Sequence, residues 1–157
     1  SRYGDNGIKK LNIVEVEKVF PGGYGPEEVV YITAAAVDGK KVDFELLSHE
    51  IAHQWFGNFV MGEFPASNFL NEAFATYASM EYTKERHPGE YQQKYDEMRR
   101  EYLAYRSSAG TGEVSIDAAA RDPRLGYAWQ VLLYYRGMMV VNASLHLLER
   151  AAGIKKH

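Results

Sequence analysis

Val42-Asp43-Phe44-Glu45-Leu46-Leu47-Ser48-His49-Glu50-Ile51-Ala52-His53-Gln54-Trp55-Phe56-Gly57-Asn58 is the stretch that decides how this chain is read. Its apolar residues, Val42, Leu46, Leu47, Ile51, Ala52, Trp55 and Phe56, recur at the spacing of one helix face, and Gly57-Asn58 is a fitting stop. Inside that pattern His49-Glu50-Ile51-Ala52-His53 spells H-E-x-x-H. Residues four apart lie on the same helix face one turn apart, so both imidazoles can reach a single tetrahedral ion. Glu50 is offset around the same helix, beside the place of a water on that ion. A carboxylate there can take a proton from the water and later deliver it to a leaving amine.

A third ligand follows. Glu72 stands nineteen positions after His53, on the next predicted helix, behind a loop long enough to reverse direction. Asn71-Glu72-Ala73-Phe74-Ala75-Thr76-Tyr77 sets that carboxylate among small and aromatic residues, an unusual surrounding for a solvated charge. The chain has no cysteine, so a metal here must use His and carboxylate. Two His and one carboxylate with a fourth position open make a catalytic zinc set, and one zinc per chain is expected, held by His49, His53 and Glu72. The plainer readings are a core helix with hydrogen-bonded histidines and an exposed helix charge at Glu72. The three residues together outweigh both.

Working outward, Lys10 to Val19 is rich in β-branched residues and partly alternates, as a half-buried strand does. Pro21-Gly22-Gly23-Tyr24-Gly25-Pro26 breaks it, Val29 to Thr33 reads as a second strand, and Val37 to Lys40 as a turn. Further helices are expected over Asn68–Arg86, Gly89–Arg106 and Tyr135–Arg150, with a long, small and polar loop over Ser107–Gly126 that carries one short ordered piece. The result is an α+β fold, a small N-terminal sheet followed mostly by helices. At 157 residues and 46% hydrophobic the chain has material for one core and reads as a single domain. A net charge of −3 argues against a general nucleic-acid binder. No stretch approaches the roughly 20 apolar residues of a membrane span. Both ends read as cut, so flanking domains of a longer parent are expected. Nothing in the sequence fixes a compartment.

These residues resemble the aminopeptidase N-type zinc metallopeptidases, a family that includes leukotriene hydrolase. The family stretch H-E-x-x-H-Q-W-F-G-N is present in full as His49 to Asn58. Its second stretch, L-N-E-G-F-A-x-Y, is similar to Leu70-Asn71-Glu72-Ala73-Phe74-Ala75-Thr76-Tyr77, and the eighteen residues between His53 and Glu72 match the family spacing. The resemblance implies a thermolysin-like catalytic domain, peptide substrates and removal of N-terminal residues. It also implies a catalytic tyrosine in a Y-x-K-G segment. Tyr134-Tyr135-Arg136-Gly137 looks like that segment, which nominates Tyr134 rather than Tyr135. A protonated phenol there can donate a hydrogen bond to an oxyanion.

One family element is missing. Where the family carries G-x-M-E-N, whose Glu grips the substrate amine, this chain reads Gly22-Gly23-Tyr24-Gly25-Pro26. Gly23, Tyr24 and Gly25 can still run beside an extended substrate as an added strand would. Glu27 or Glu28 could supply the anchor, though ordinary surface charge is the better reading of both. Peptide-bond hydrolysis is therefore the firmer expectation, and removal of an N-terminal residue the finer one. The rivals are a zinc hydrolase of another kind, endopeptidase or epoxide-opening, and an interaction domain that retains zinc with little activity. His87 is expected at a helix end and His146 in the core or at its edge, with His157 terminal. Trp55 and Trp129 are expected in packing, and the tyrosines from Tyr91 to Tyr105 fit a groove lining and amphipathic packing equally well.

Overall fold

Three short strands open the chain. In the computed structural model, which describes residues 3–17, 22–38, 41–63 and 66–153, β1 (Asn12–Val16) pairs in parallel with β3 (Val29–Thr33). On the other side of β3 lies β2 (Gly23–Tyr24), antiparallel, with Gly23 opposite Ile32 and Tyr24 opposite Tyr31. Val30 and Ile32 of β3 are buried while Val29 and Tyr31 are less so, the alternation of a sheet with one covered face. The expected first strand is thus shorter than Lys10–Val19, and Lys18 to Pro21 lie outside the described residues. A second, two-stranded hairpin joins β4 (Val37–Asp38) to β5 (Lys41–Val42). Its expected turn at Gly39 and Lys40 lies outside the described residues.

The zinc-motif helix is tighter than its periodicity. Val42 belongs to β5, and Asp43 caps α1 (Phe44–Ala52) by accepting from the Glu45 and Leu46 amides. The helix closes at Ala52, where Gln54 and Trp55 amides turn back three residues to Ile51 and Ala52 carbonyls. His53, the second imidazole of the motif, sits at the cap with helical angles, so it keeps its place one turn from His49. The long helix α2 (Ala66–Arg86) packs across α1 and is the centre of the molecule, touching every helical layer that follows. α3 (Pro88–Ala109) starts with a proline at its first turn, and His87 forms the corner, its ring against Phe44 and Tyr82.

The segment Ser107–Gly126 holds its expected short ordered piece: Ser115 caps a short helix, α4 (Ile116–Arg121), by accepting from the Ala118 amide, while α3 runs on to Ala109. Two other expectations fail here. The last helix begins well before Tyr135. α5 (Tyr127–Gln130) passes into a π-helical turn, Val131–Arg136, and then into α6 (Gly137–Ala151). The wider turn inserts an extra residue, so Val131, Leu132 and Leu133 are all buried and no 3.6-residue period survives. The run Tyr127–Ala151, 25 residues, is also long and apolar enough to cross a membrane by length and composition, contrary to the sequence expectation. The same run supplies the main contact with α2.

Three apolar clusters hold the helices. Ala119, Ala120, Leu132 and Leu133 form one, with Tyr102, Tyr105 and Trp129 against it. Met80, Met98 and Met138 form another, ringed by Tyr77, Tyr91 and Tyr95. Ala52, Ala75 and Ala78 form the third, between α1 and α2, covered by Tyr3 and Phe56. The tyrosines of α3 are packing residues. His146 is exposed on α6, beside Glu149.

Candidate active site

The close crossing of α1 and α2, permitted by three alanines, carries the functional groups with it. His49 and Glu50 are buried on α1, and Glu72 projects from the second turn of α2. His49 Nε2 lies 3.2 Å from His53 Nε2 and 3.2 Å from Glu72 Oε2, and His53 Nε2 lies 3.6 Å from the same oxygen. Zinc bonds of about 2.0–2.1 Å in a tetrahedron separate neighbouring donor atoms by about 3.3–3.4 Å. The triangle therefore has the edges of three corners of a zinc tetrahedron. Its chemistry agrees: two imidazole nitrogens and a carboxylate oxygen, the chain's one such group among the described residues, converge on one point.

Neighbouring groups orient the two rings. His53 Nδ1 donates to the Phe56 carbonyl at 2.9 Å, which leaves the Nε2 lone pair for a metal. Thr76, one turn after Glu72 and buried, places its hydroxyl 3.4 Å from His49 Nδ1. Burial works against ionising Glu72, but hydrogen bonds from His49 and His53 and their charge outweigh it and hold the carboxyl at about 2. His53 is raised: burial opposes its protonation, and the hydrogen bond and charge of Glu72, the Phe56 carbonyl and the Glu50 charge overcome that. Burial pushes Glu50 up, against the pull of both histidines.

Tyr134 comes from the π-helical turn. Its ring stacks on His49 with centroids 5.5 Å apart and planes 12° from parallel, and Trp129 packs edge-on against its other side. Burial raises its pKa far above the ordinary phenol range, with the charge of Glu72 and a hydrogen bond to that carboxylate adding to the effect. It stays a hydrogen-bond donor at any working pH. The next residue but one, Arg136, donates to Glu113 at 2.8 Å, and Tyr102 donates to the same oxygen at 3.0 Å. That network ties the π-helical turn to the segment after α3.

A cleft opens over these groups in two lobes that meet at Gly23, His49, Glu50 and Tyr134. The larger, about 670 Å³, runs between Gly22, α1 and the Trp129, Gln130 and Tyr135 side. The smaller, about 270 Å³, lies between Tyr24, Gly25 and Pro26 on one side and Asn58 and Asn71 on the other. Gly23, Tyr24 and Gly25 thus line the cleft where the sequence expectation put them, on the edge strand β2 and just beyond. The glycines are required by contact. A Cβ on Gly23 would lie 2.5 Å from Glu50 Cγ, and one on Gly25 would lie 2.4 Å from the Glu50 carbonyl oxygen. Glu27 and Glu28 are exposed on the turn before β3 and line neither lobe.

Sequence reasoning missed the residues that hold this edge strand. Gln54, 2% exposed, donates to the Pro26 carbonyl at 2.8 Å and reaches those of Gly25 and Val29, while accepting from the Glu28 amide at 2.8 Å. Asn58 donates at 2.7 Å to both the Gly25 and the His53 carbonyls. A polar Gln between an imidazole ligand and Trp55-Phe56 is the signal that could have found the first.

The profile of the peptidase family M1 domain matches residues 26–154. Membrane alanyl aminopeptidase of Manduca sexta is 27% identical over 112 residues, 70% of this chain and 11% of that protein. Aminopeptidase 2 of Candida albicans is 49% identical over 45 residues, 29% of this chain and 5% of that protein. Probable aminopeptidase 1 of Saccharolobus solfataricus is 46% identical over 44 residues, 28% of this chain and 6% of that protein. The chain spans only a small share of the length of these curated relatives. No solved structure matches. The profile covers most of the chain, including α1, α2 and the π-helical turn, and the chain belongs to the M1 peptidase family.

Proposed function

We propose that this chain is a single thermolysin-like catalytic domain of a zinc metallopeptidase that hydrolyses peptide bonds, releasing N-terminal residues as its relatives' names describe. The observation that carries the reading is the donor triangle of His49, His53 and Glu72, whose 3.2 to 3.6 Å edges fit a tetrahedral ion. When bound, zinc supplies the Lewis acidity that makes water a usable nucleophile near neutral pH. Glu50 takes the water's proton, lying flat against Gly23 so that its carboxylate faces the cleft. Tyr134, protonated and stacked on His49, donates to the oxyanion that forms on the scissile carbonyl. Glu50 then passes its proton to the departing amine. Gly23, Tyr24 and Gly25 offer backbone to an extended peptide along the strand edge.

The first test is metal content by elemental analysis, beside His53→Ala and Glu72→Ala. Zinc near one per chain in the parent and much less in both variants is expected, followed by peptide hydrolysis that Glu50→Gln abolishes while keeping its zinc. Zinc retained in both ligand variants would sink the assignment.

One observation favours a second reading, cleavage at internal bonds. Among the described residues the smaller lobe is lined by no carboxylate besides Glu50 and Glu72, and Gly25 has no room for a side chain that could grip an amine. Matched peptides with free and acetylated N-termini separate the two: an aminopeptidase leaves the acetylated one intact.

A further inference from the structure

Gly137 is the first residue of α6 and is buried against α2. A Cβ built on it would lie 2.9 Å from the Ala73 Cβ and 3.2 Å from Phe69 Cε2. Ala73 is itself fully buried and adjoins Glu72, while Gly137 stands three residues after Tyr134. This close approach of the two helices therefore lies within a turn of both a ligand carboxylate and the phenol. The phenol ring stacks on His49, which lies against that carboxylate.

We propose that Gly137 is a positioning residue: the missing side chain sets how closely the π-helical turn sits on α2, and so holds Tyr134 over the cleft. The proposal rests on the role given above to Tyr134. A methyl group at 137 would have to retreat by roughly 0.7–1 Å to reach ordinary carbon–carbon separation. The Phe69 ring can swing aside, but the Ala73 methyl is fixed to its helix and cannot. The displacement passes into the π-helical turn, which the Arg136–Glu113 bond anchors on its far side. A misplacement near 1 Å of a group that acts on the transition state costs on the order of a hundredfold in rate.

The test compares Gly137→Ala, Ala73→Gly, the double variant and Tyr134→Phe, each zinc-loaded, by kcat and KM on one peptide and by the crystal structure of Gly137→Ala. Gly137→Ala should keep its zinc and its KM within about twofold while kcat falls roughly a hundredfold, with residues 131–136 displaced from α2. Ala73→Gly in the same chain should restore kcat to within severalfold of the parent. In a Tyr134→Phe background Gly137→Ala should do nothing further, because the group it misplaces is gone. Equal losses in both backgrounds, or an undisplaced turn in Gly137→Ala, would overturn the proposal. If Gly137→Ala does not fold, the double variant decides: a folded double variant without recovered kcat overturns it. A Tyr134→Phe variant as active as the parent would instead overturn the role of Tyr134, a distinguishable result.

Discussion

Gln54→Ala and Gln54→Glu together test whether hydrogen bonds, rather than packing, tie the edge strand to the metal helix. Gln54 makes two short bonds, to the Pro26 carbonyl and from the Glu28 amide, both 2.8 Å, and two longer ones, at 3.3 Å to Gly25 and 3.4 Å to Val29. Each short neutral bond contributes about 1 kcal/mol net, and the two partly buried partners left unpaired together add about 1 kcal/mol more. Truncation should therefore cost about 3 kcal/mol. Glutamate keeps the shape and the acceptor but loses both N–H donors, and sets a carboxylate against carbonyl oxygens. It should cost as much as alanine or more, although it fills the space better. Urea unfolding in excess zinc measures this, with the midpoint falling by about 1–1.5 M for both variants. Zinc affinity should stay near the parent value, because the ligands are held by the α1–α2 crossing. A Gln54→Glu variant within about 0.5 kcal/mol of the parent would refute the reasoning and leave packing as the cause.

Three further outcomes are expected. His53 is held protonated above its ordinary range in the metal-free protein, so zinc must displace that proton. Affinity should fall as pH drops through the raised value, by about tenfold per pH unit for each proton displaced, when measured by competition with a coloured chelator; a flat profile from pH 8 to 6 would contradict this. Thr76→Val removes the hydroxyl beside His49 Nδ1 and should weaken zinc binding by about 10- to 100-fold without unfolding the chain, which the same competition reads. Tyr134→Phe should lower kcat by about 10²- to 10³-fold with KM and zinc content unchanged; a rise in KM alone would assign the phenol to substrate binding.

The donor triangle of His49, His53 and Glu72 was legible because it obeys local rules. His49 and His53 follow from a four-residue spacing, and Glu72 from a carboxylate out of place among alanines and aromatics. Tyr134 was legible only through resemblance, since its turn is π-helical and Val131-Leu132-Leu133 carries no α-helical period. Gln54, Asn58 and Thr76 were missed because their roles depend on groups up to 33 residues away, which no window along the chain can see. The strand at Gly23-Tyr24 was hidden for a related reason: a two-residue strand exists only through its partner.

The two glycines beside Glu50 have an effect on how this site can diversify. Residues 23 and 25 point the same way, into α1: a methyl group at 25 meets the Glu50 backbone, and one at 23 meets the Glu50 side chain and would displace it. At those two positions the wall of the cleft offers main chain and little side-chain alphabet. Sequence drift there is confined to silence or loss. A change in substrate preference, whether by natural divergence or by a mutagenic library, is written more readily at Tyr24 between them or on the facing wall, at Trp129, Gln130 and Tyr135.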